Sequence, residues 1–517
     1  MQHGRRVALS SISKLAWLAA ATLCGCNALF GIGDDDESPG AAGSAGDATS
    51  RETGGQAGAF PDAASGQSSS AASSSRGGDP GTVTAGTTGG AGDAGALTTG
   101  TAGTGGESPN GQGGATVTGK VENIWGYPLE GVTVTARSAN GDSSGVTDAS
   151  GAFTVDNVAT PYEAFFVVDG GDFVEGWSFQ GLTRADPIFR TVNSGNGTHS
   201  LPQVEATGVD AVAEPFVGFA VGTPYGRLPS GLPQRELMAG DYVYLYGARK
   251  ADGTAHALSF LADENKLPTD YLGYASHSIH IDTDQNQSEL VSLDLSPPDP
   301  KLPVDTVSGT VTGGSLDVQV NALWLMFDSN ADMLLAREHA SDASFSYQVP
   351  ALPDGAAMVT VAVGGWGSDA LAIGYRAGLQ PGQSGIELVV PPASSPTLPE
   401  ADAYISADTS FSWEAPVPVS VLLVDQIVRD EIPRLLHVVT AQASARIPQA
   451  LFEGMGFDPD QSCHWMVETH GDFDGVDATA SDAGFLTAFS ENGEPMGPLR
   501  PDGAYTRSRQ VRCSFSP

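Results

Sequence analysis

The sequence predicts a mostly β protein, a series of β-sandwiches that follows a disordered Gly/Ser/Thr-rich tether. Three observations predict it. Apolar runs after Ala115 are short, rich in Val, Thr and aromatics, and bounded by Gly, Pro, Asp or Asn. Residues 34–115 hold 22 of the 66 glycines, and their only large apolar side chains are Phe60, Val83 and Leu97. A pattern of landmarks near residue 117 returns near residue 307, and internal repetition signals copies of one unit.

The first 25 residues read as a secretory signal. Arg5, Arg6 and Lys14 precede the apolar run Leu15–Leu23, which is far shorter than the roughly 20 residues of a membrane-spanning helix. Leu23-Cys24-Gly25-Cys26 follows. It resembles the lipobox of bacterial lipoproteins, which implies cleavage before Cys26 and lipidation of its thiol. Several acyl chains hold a protein at a membrane stably where one is marginal, since each buried CH₂ contributes about 0.8 kcal/mol. Asn27 follows Cys26, in place of the Asp that keeps many members at the inner membrane, so the resemblance points to the outer membrane or cell surface.

Removing residues 1–25 leaves 21 basic residues against 61 acidic ones, a net charge of −40. Nucleic acids and anionic lipid surfaces demand Lys/Arg clusters, so neither is an expected partner. Residues 26–115 hold the lipidated cysteine and a linker, of which 34–115 cannot bury enough apolar surface to offset backbone entropy. They read as a tether with a root-mean-square reach of about 50 Å. Cys463 and Cys513 remain after the signal and the lipidated cysteine are set aside. An even pair in an exported chain predicts a disulfide. Cys463, Trp465 and Val467 share one strand face by the period of two.

Residues 116–170 carry Gly119-x-Val121, Pro128-Leu129-x-Gly131-Val132-x-Val134 and Thr147-Asp148-x-x-Gly151-x-Phe153. This stretch resembles the carboxypeptidase regulatory-like domain, a transthyretin-like β-sandwich. The resemblance implies an accessory module with no catalytic residues. Val307-Ser308-Gly309-Thr310-Val311 repeats Val117-Thr118-Gly119-Lys120-Val121, and Gly240–Tyr246 is similar to the strand at Gly151-Ala152-Phe153. Sandwiches are expected at 116–200, 201–303 and 304–393; one larger β-domain with insertions is the alternative. After the linker Pro391–Pro396, residues 394–517 resemble a fibronectin type III or immunoglobulin-like domain, where a buried Trp on an early strand is common. Together these give tandem immunoglobulin-like and transthyretin-like sandwiches.

Chemistry is sparse. Gly141-Asp142-Ser143-Ser144-Gly145 matches G-x-S-x-G, but a nucleophile elbow needs a helix after it, and a hairpin loop is the reading. Asp328-Ser329-Asn330-Ala331-Asp332 opens like a calcium loop, yet Met333 and His339 stand where Gly and Glu are needed. Asp282-Thr283-Asp284 fails in the same way. Asp472, Asp474 and Asp477 read as solvated loop acids. His280 and Asp282 share a strand face, as metal ligands or a hydrogen-bonded pair, with no third ligand beside His277. No metal, cofactor or catalytic residue is expected. The candidate ligand platform is aromatic: Trp125 beside Tyr127, Trp177 beside Phe179, and Trp366, all in turn-rich or Gly-rich surroundings. These readings describe an exported, lipid-anchored, non-enzymatic protein that binds a glycan or an envelope protein. A polysaccharide hydrolase with an unrecognised carboxylate site and a structural spacer are the alternatives.

Overall fold

The computed structural model describes residues 114–516, apart from interior stretches of which the longest are 192–198, 229–241, 283–289 and 485–501. The signal segment, Cys26 and the stretch expected to form the tether up to residue 113 lie outside the described residues.

The described residues are mostly strand, in several sheets. The first seven strands follow one wiring. Ala115–Asn123 pairs antiparallel with Ala152–Val158 and parallel with Ile188–Thr191. Thr133–Ser138 pairs with Gly141–Val146 and with Tyr162–Asp169, which pairs with Val174–Leu182. The third set repeats it. Val304–Gly313 pairs antiparallel with Ser344–Pro350 and parallel with Ile386–Val390. Val318–Phe327 pairs with Asp332–His339 and with Ala357–Gly367, which pairs with Ala370–Leu379. Between them His199–Thr207 takes Tyr242–Gly247 and Leu290–Asp294 in the same two senses. Tyr242–Gly247 thus holds in the second set the place of Ala152–Val158 in the first.

The repeated glycine has a steric reason. A Cβ on Gly119 would lie 2.3 Å from the Pro187 carbonyl oxygen and 2.6 Å from the Phe153 ring. On Gly309 it would lie 2.2 Å from the Ile386 oxygen and 2.6 Å from Phe345. In each copy a phenylalanine from the antiparallel neighbour closes over the strand, and only hydrogen fits beneath it.

The C-terminal residues form a different sandwich. Ser410–Glu414 pairs with Ser395–Leu398 and Ser444–Arg446. Against this sheet packs a second, in which Val419–Gln426 lies between Arg434–Thr440 and Ser462–His470. Val511–Phe515 pairs with Ser462–His470, and Ala403–Ile405 runs parallel to it. Phe411 meets Trp465 edge-on at 5.3 Å in the core.

The sandwiches are not separate beads. Arg434–Thr440 pairs parallel with Val174–Leu182 of the first, and Asp502–Arg507 joins Ser462–His470 to Ala370–Leu379 of the third. One sheet therefore runs from Asp332–His339 through the C-terminal strands to Gly141–Val146. Cores are shared as well. Val421, Val439 and Phe473 pack with Phe153, Phe166 and Phe189, while Phe216, Phe260 and Tyr271 pack with Leu323 and Phe345.

Candidate functional site

Val174–Leu182 is the strand on which the site is built, because it belongs to both the first sandwich and the shared sheet. Side chains alternate along it. Glu175, Trp177 and Phe179 point to one face, and Gly176, Ser178 and Gln180 to the other. Trp177 is 1% exposed. Its ring lies 4.0 Å from that of His437, its cross-strand partner, at an interplanar angle of 7°. Its Nε1 donates to Glu175 Oε2 at 3.2 Å.

Trp177 was expected on an exposed platform because glycines flank it. The structure assigns Gly176 a different purpose. A Cβ there would sit 2.4 Å from Met455 sulfur, so the glycine admits the helix Gln449–Met455 against the sheet. Phe179 is likewise buried. Trp125 and Tyr127 lie outside the described residues. Trp366 stands on Ala357–Gly367, with its backbone between Val318 and Leu371; its side chain lies outside the description. Of the three tryptophans only the Trp177 side chain is among the described residues, and its burial takes it off any exposed platform.

A clasp closes the end of the seam. Asp477 accepts from the backbone N–H of Thr183 at 2.8 Å and of Arg184 at 3.1 Å, and from the Thr183 hydroxyl. The Arg184 guanidinium donates to the Asp477 carbonyl at 3.1 Å. Burial pushes the Asp477 carboxyl up, but those hydrogen bonds and the Arg184 charge outweigh it and hold the carboxyl below its ordinary value. Arg190 pairs with Glu122 at 2.7 Å, and also donates to the carbonyls of Ser481 and Gly484. Beside the clasp is an open groove of ≈ 540 Å³ lined by Gln180, Thr440, Gln442, Asp474 and Asp477, within the size range of small-ligand sites. Gln180, on its wall, donates to Glu163 and to the Arg446 carbonyl.

The polar groups of the shared sheet are mostly buried. His437 and His470 are held neutral by burial, each with its pKa lowered to about 3. Burial raises the Asp425 carboxyl, against the pull of His464 Nδ1 at 3.3 Å. Burial also raises Glu468, which accepts from the Tyr505 hydroxyl at 2.9 Å.

The other sequence candidates fall elsewhere. Cys463 and Cys513 stand directly opposite on paired strands, joined as a disulfide and fully buried. Gly141–Val146 is a strand, where a hairpin loop was expected. The turn lies at Ala139 and Asn140, and Asp142 and Ser144 bind Arg137 and Thr135 across the pair. His280 Nδ1 lies 2.8 Å from Asp252 Oδ1, its cross-strand partner; the Asp282 side chain lies outside the description. Asp328 and Asn330 also lie outside it, and Asp332 is buried. Among the described residues no three His, Cys, Asp or Glu side chains come together as a metal site.

One residue that sequence reasoning passed over stands out. Tyr404 is 72% exposed, the one aromatic among the exposed large hydrophobic side chains of the described residues. Its signal was faint, a lone ring in the short alternation Ala403-Tyr404-Ile405.

No family model matches the chain, and no curated protein matches it. Among solved structures it is similar to the fimbrial anchor protein Mfa2 from Porphyromonas gingivalis, at 11% identity and a TM-score of 0.16, covering 32% of this chain and 78% of that one. A DUF3823 family protein from Parabacteroides merdae matches at 12% identity and a TM-score of 0.13, covering 41% of this chain and 100% of that one. The Bacillus anthracis TIE protein matches at 11% identity and a TM-score of 0.15; the match covers 54% of this chain and half, 50%, of that protein.

Proposed function

We propose that this chain is an exported, lipid-anchored bacterial surface protein that acts by binding, without catalysis, and presents a stiff array of β-sandwiches to a glycan or an envelope protein. The seam carries the reading. The first sandwich, the C-terminal sandwich and the third set of strands are tied through one sheet; the first joins by a parallel strand pair backed by Asp477, Arg184 and Arg190, and the third by the antiparallel strand Asp502–Arg507. Such a body resists bending between its units. Its polar side chains serve as structural ties, with the partly buried Asp477 engaged by three donors and the buried Trp177 stacked on His437. The Cys26 lipobox, by its resemblance, supplies the anchor, and the Gly-rich stretch supplies the reach beyond the lipid headgroups. Outer membrane or cell surface is the expected address.

Fractionation of cells making the wild-type and Cys26→Ala chains tests the anchor; the wild type stays with membranes and the variant becomes soluble. The soluble variant, incubated with envelope polysaccharide and protein fractions, is retained without releasing reducing sugar. Membrane retention of Cys26→Ala sinks the anchor, and sugar release sinks the non-catalytic reading.

A further inference from the structure

The outward face of the C-terminal sheet carries an aromatic ring with nothing packed on it. Ala403–Ile405 runs parallel to Val511–Phe515, which runs antiparallel to Ser462–His470. On these strands Ile405, Cys513, Phe515 and Cys463 turn inward and are buried. Alternation therefore sends Tyr404, Ser514 and Ser462 outward. Register sets them in a single row, because Tyr404 pairs with Ser514 and Ser514 pairs with Ser462. Three strands at their ordinary spacing make that row about 10 Å long.

Core packing gives Tyr404 no role. A ring 72% exposed on a short edge strand contributes little to the sandwich beneath it, and buried Phe515 already fills that end of the core with Phe452 and Phe457. What the ring offers is a flat apolar face, with hydroxyl donors and acceptors beside it in the plane of the sheet. Arg512 Nε lies 3.8 Å from Asp402 Oδ1, and both side chains are open to solvent. The chain as a whole carries −37, which repels polyanions.

We propose that Tyr404, with Ser514 and Ser462, is a stacking platform for a pyranose ring of a neutral glycan. It rests on the binding role proposed above, and names where and what the protein binds. The C–H face of the sugar covers the tyrosine ring, the two serines meet its hydroxyls, and Arg512 and Asp402 border the row.

The test is affinity electrophoresis of the full-length protein in detergent through gels containing laminarin, dextran or soluble xylan, with alginate as the polyanion. At least one neutral polysaccharide retards the wild type. Tyr404→Ala weakens that interaction at least 10-fold at an unchanged melting temperature, and Tyr404→Trp keeps it. Ser462→Glu, at an exposed position in the same row, weakens it as well. Undiminished retardation of Tyr404→Ala overturns the platform and leaves a binding role standing elsewhere on the protein. A wild type slowed by no neutral polysaccharide, or slowed by alginate as strongly, overturns it too.

Discussion

Replacing Trp177 by alanine tests the seam and the burial of the ring at once. The indole is 1% exposed and stacks on His437 from the C-terminal sandwich. Truncating a buried Trp costs about 3–5 kcal/mol, the transfer loss plus the cavity left behind. The variant also removes the indole N–H that donates to Glu175 Oε2. At about 2–4 °C per kcal/mol for a unit of 150–250 residues, the melting temperature falls by about 6–20 °C. The informative readout is where protection is lost. Hydrogen exchange on the full chain should speed up in Tyr162–Asp169 and also in Arg434–Thr440, which lies some 260 residues further along and pairs directly with the altered strand. A melting temperature within 2 °C of wild type would return Trp177 to the surface. Loss of protection confined to the first sandwich would refute the shared sheet.

Other outcomes follow from the same structure. Cys463→Ser with Cys513→Ser opens a bridge across 50 residues and should cost about 3–4 kcal/mol on the chain-entropy model. Denaturant midpoints measure it, and non-reducing mass mapping that finds both thiols free in the native protein would disprove the bridge. His437 is held neutral by burial, with its pKa lowered to about 3, so the unfolded chain takes up the proton first. Stability is therefore lost as pH falls from about 6.5 toward about 3. Asp425 and Glu468, whose carboxyls burial raises, act in the opposite direction. The comparison is thus wild type against His437→Phe, whose midpoint should fall less between pH 7 and pH 4.5; equal slopes would exclude His437 as a source of acid sensitivity.

The strands that one face of water touches were legible in the sequence. Val132-Thr133-Val134-Thr135-Ala136 alternates and does form a strand with alternating burial, and the glycine shared by residues 119 and 309 marks two copies of one wiring. The cysteines were legible because an exported even pair has few other uses. The seam was not. Val419–Gln426 is buried at every position, so it carries no period to read, and nothing local to Val174–Leu182 names a partner on the far side of two further strand sets. Trp177 misled for a related reason. A glycine beside an aromatic looks like a loop, and here it is the space that a helix occupies. Tyr404 went unweighed because three residues are too few for alternation to separate an outward ring from an inward one.

The parallel pairing of Val174–Leu182 with Arg434–Thr440 also orders events in time. Synthesis runs from the N-terminus, so the first sandwich is made with one strand edge open, its hydrogen-bonding groups unpaired until the later strand arrives. Non-local pairing of this kind folds slowly, and an open edge is a template for wrong partners. The last-made sandwich is in this sense the lock for the first. A chain stopped before Arg434 would not be a shorter version of this protein, but one with an uncovered edge and a shared core lacking Val439, Phe473, Val476 and Ala480.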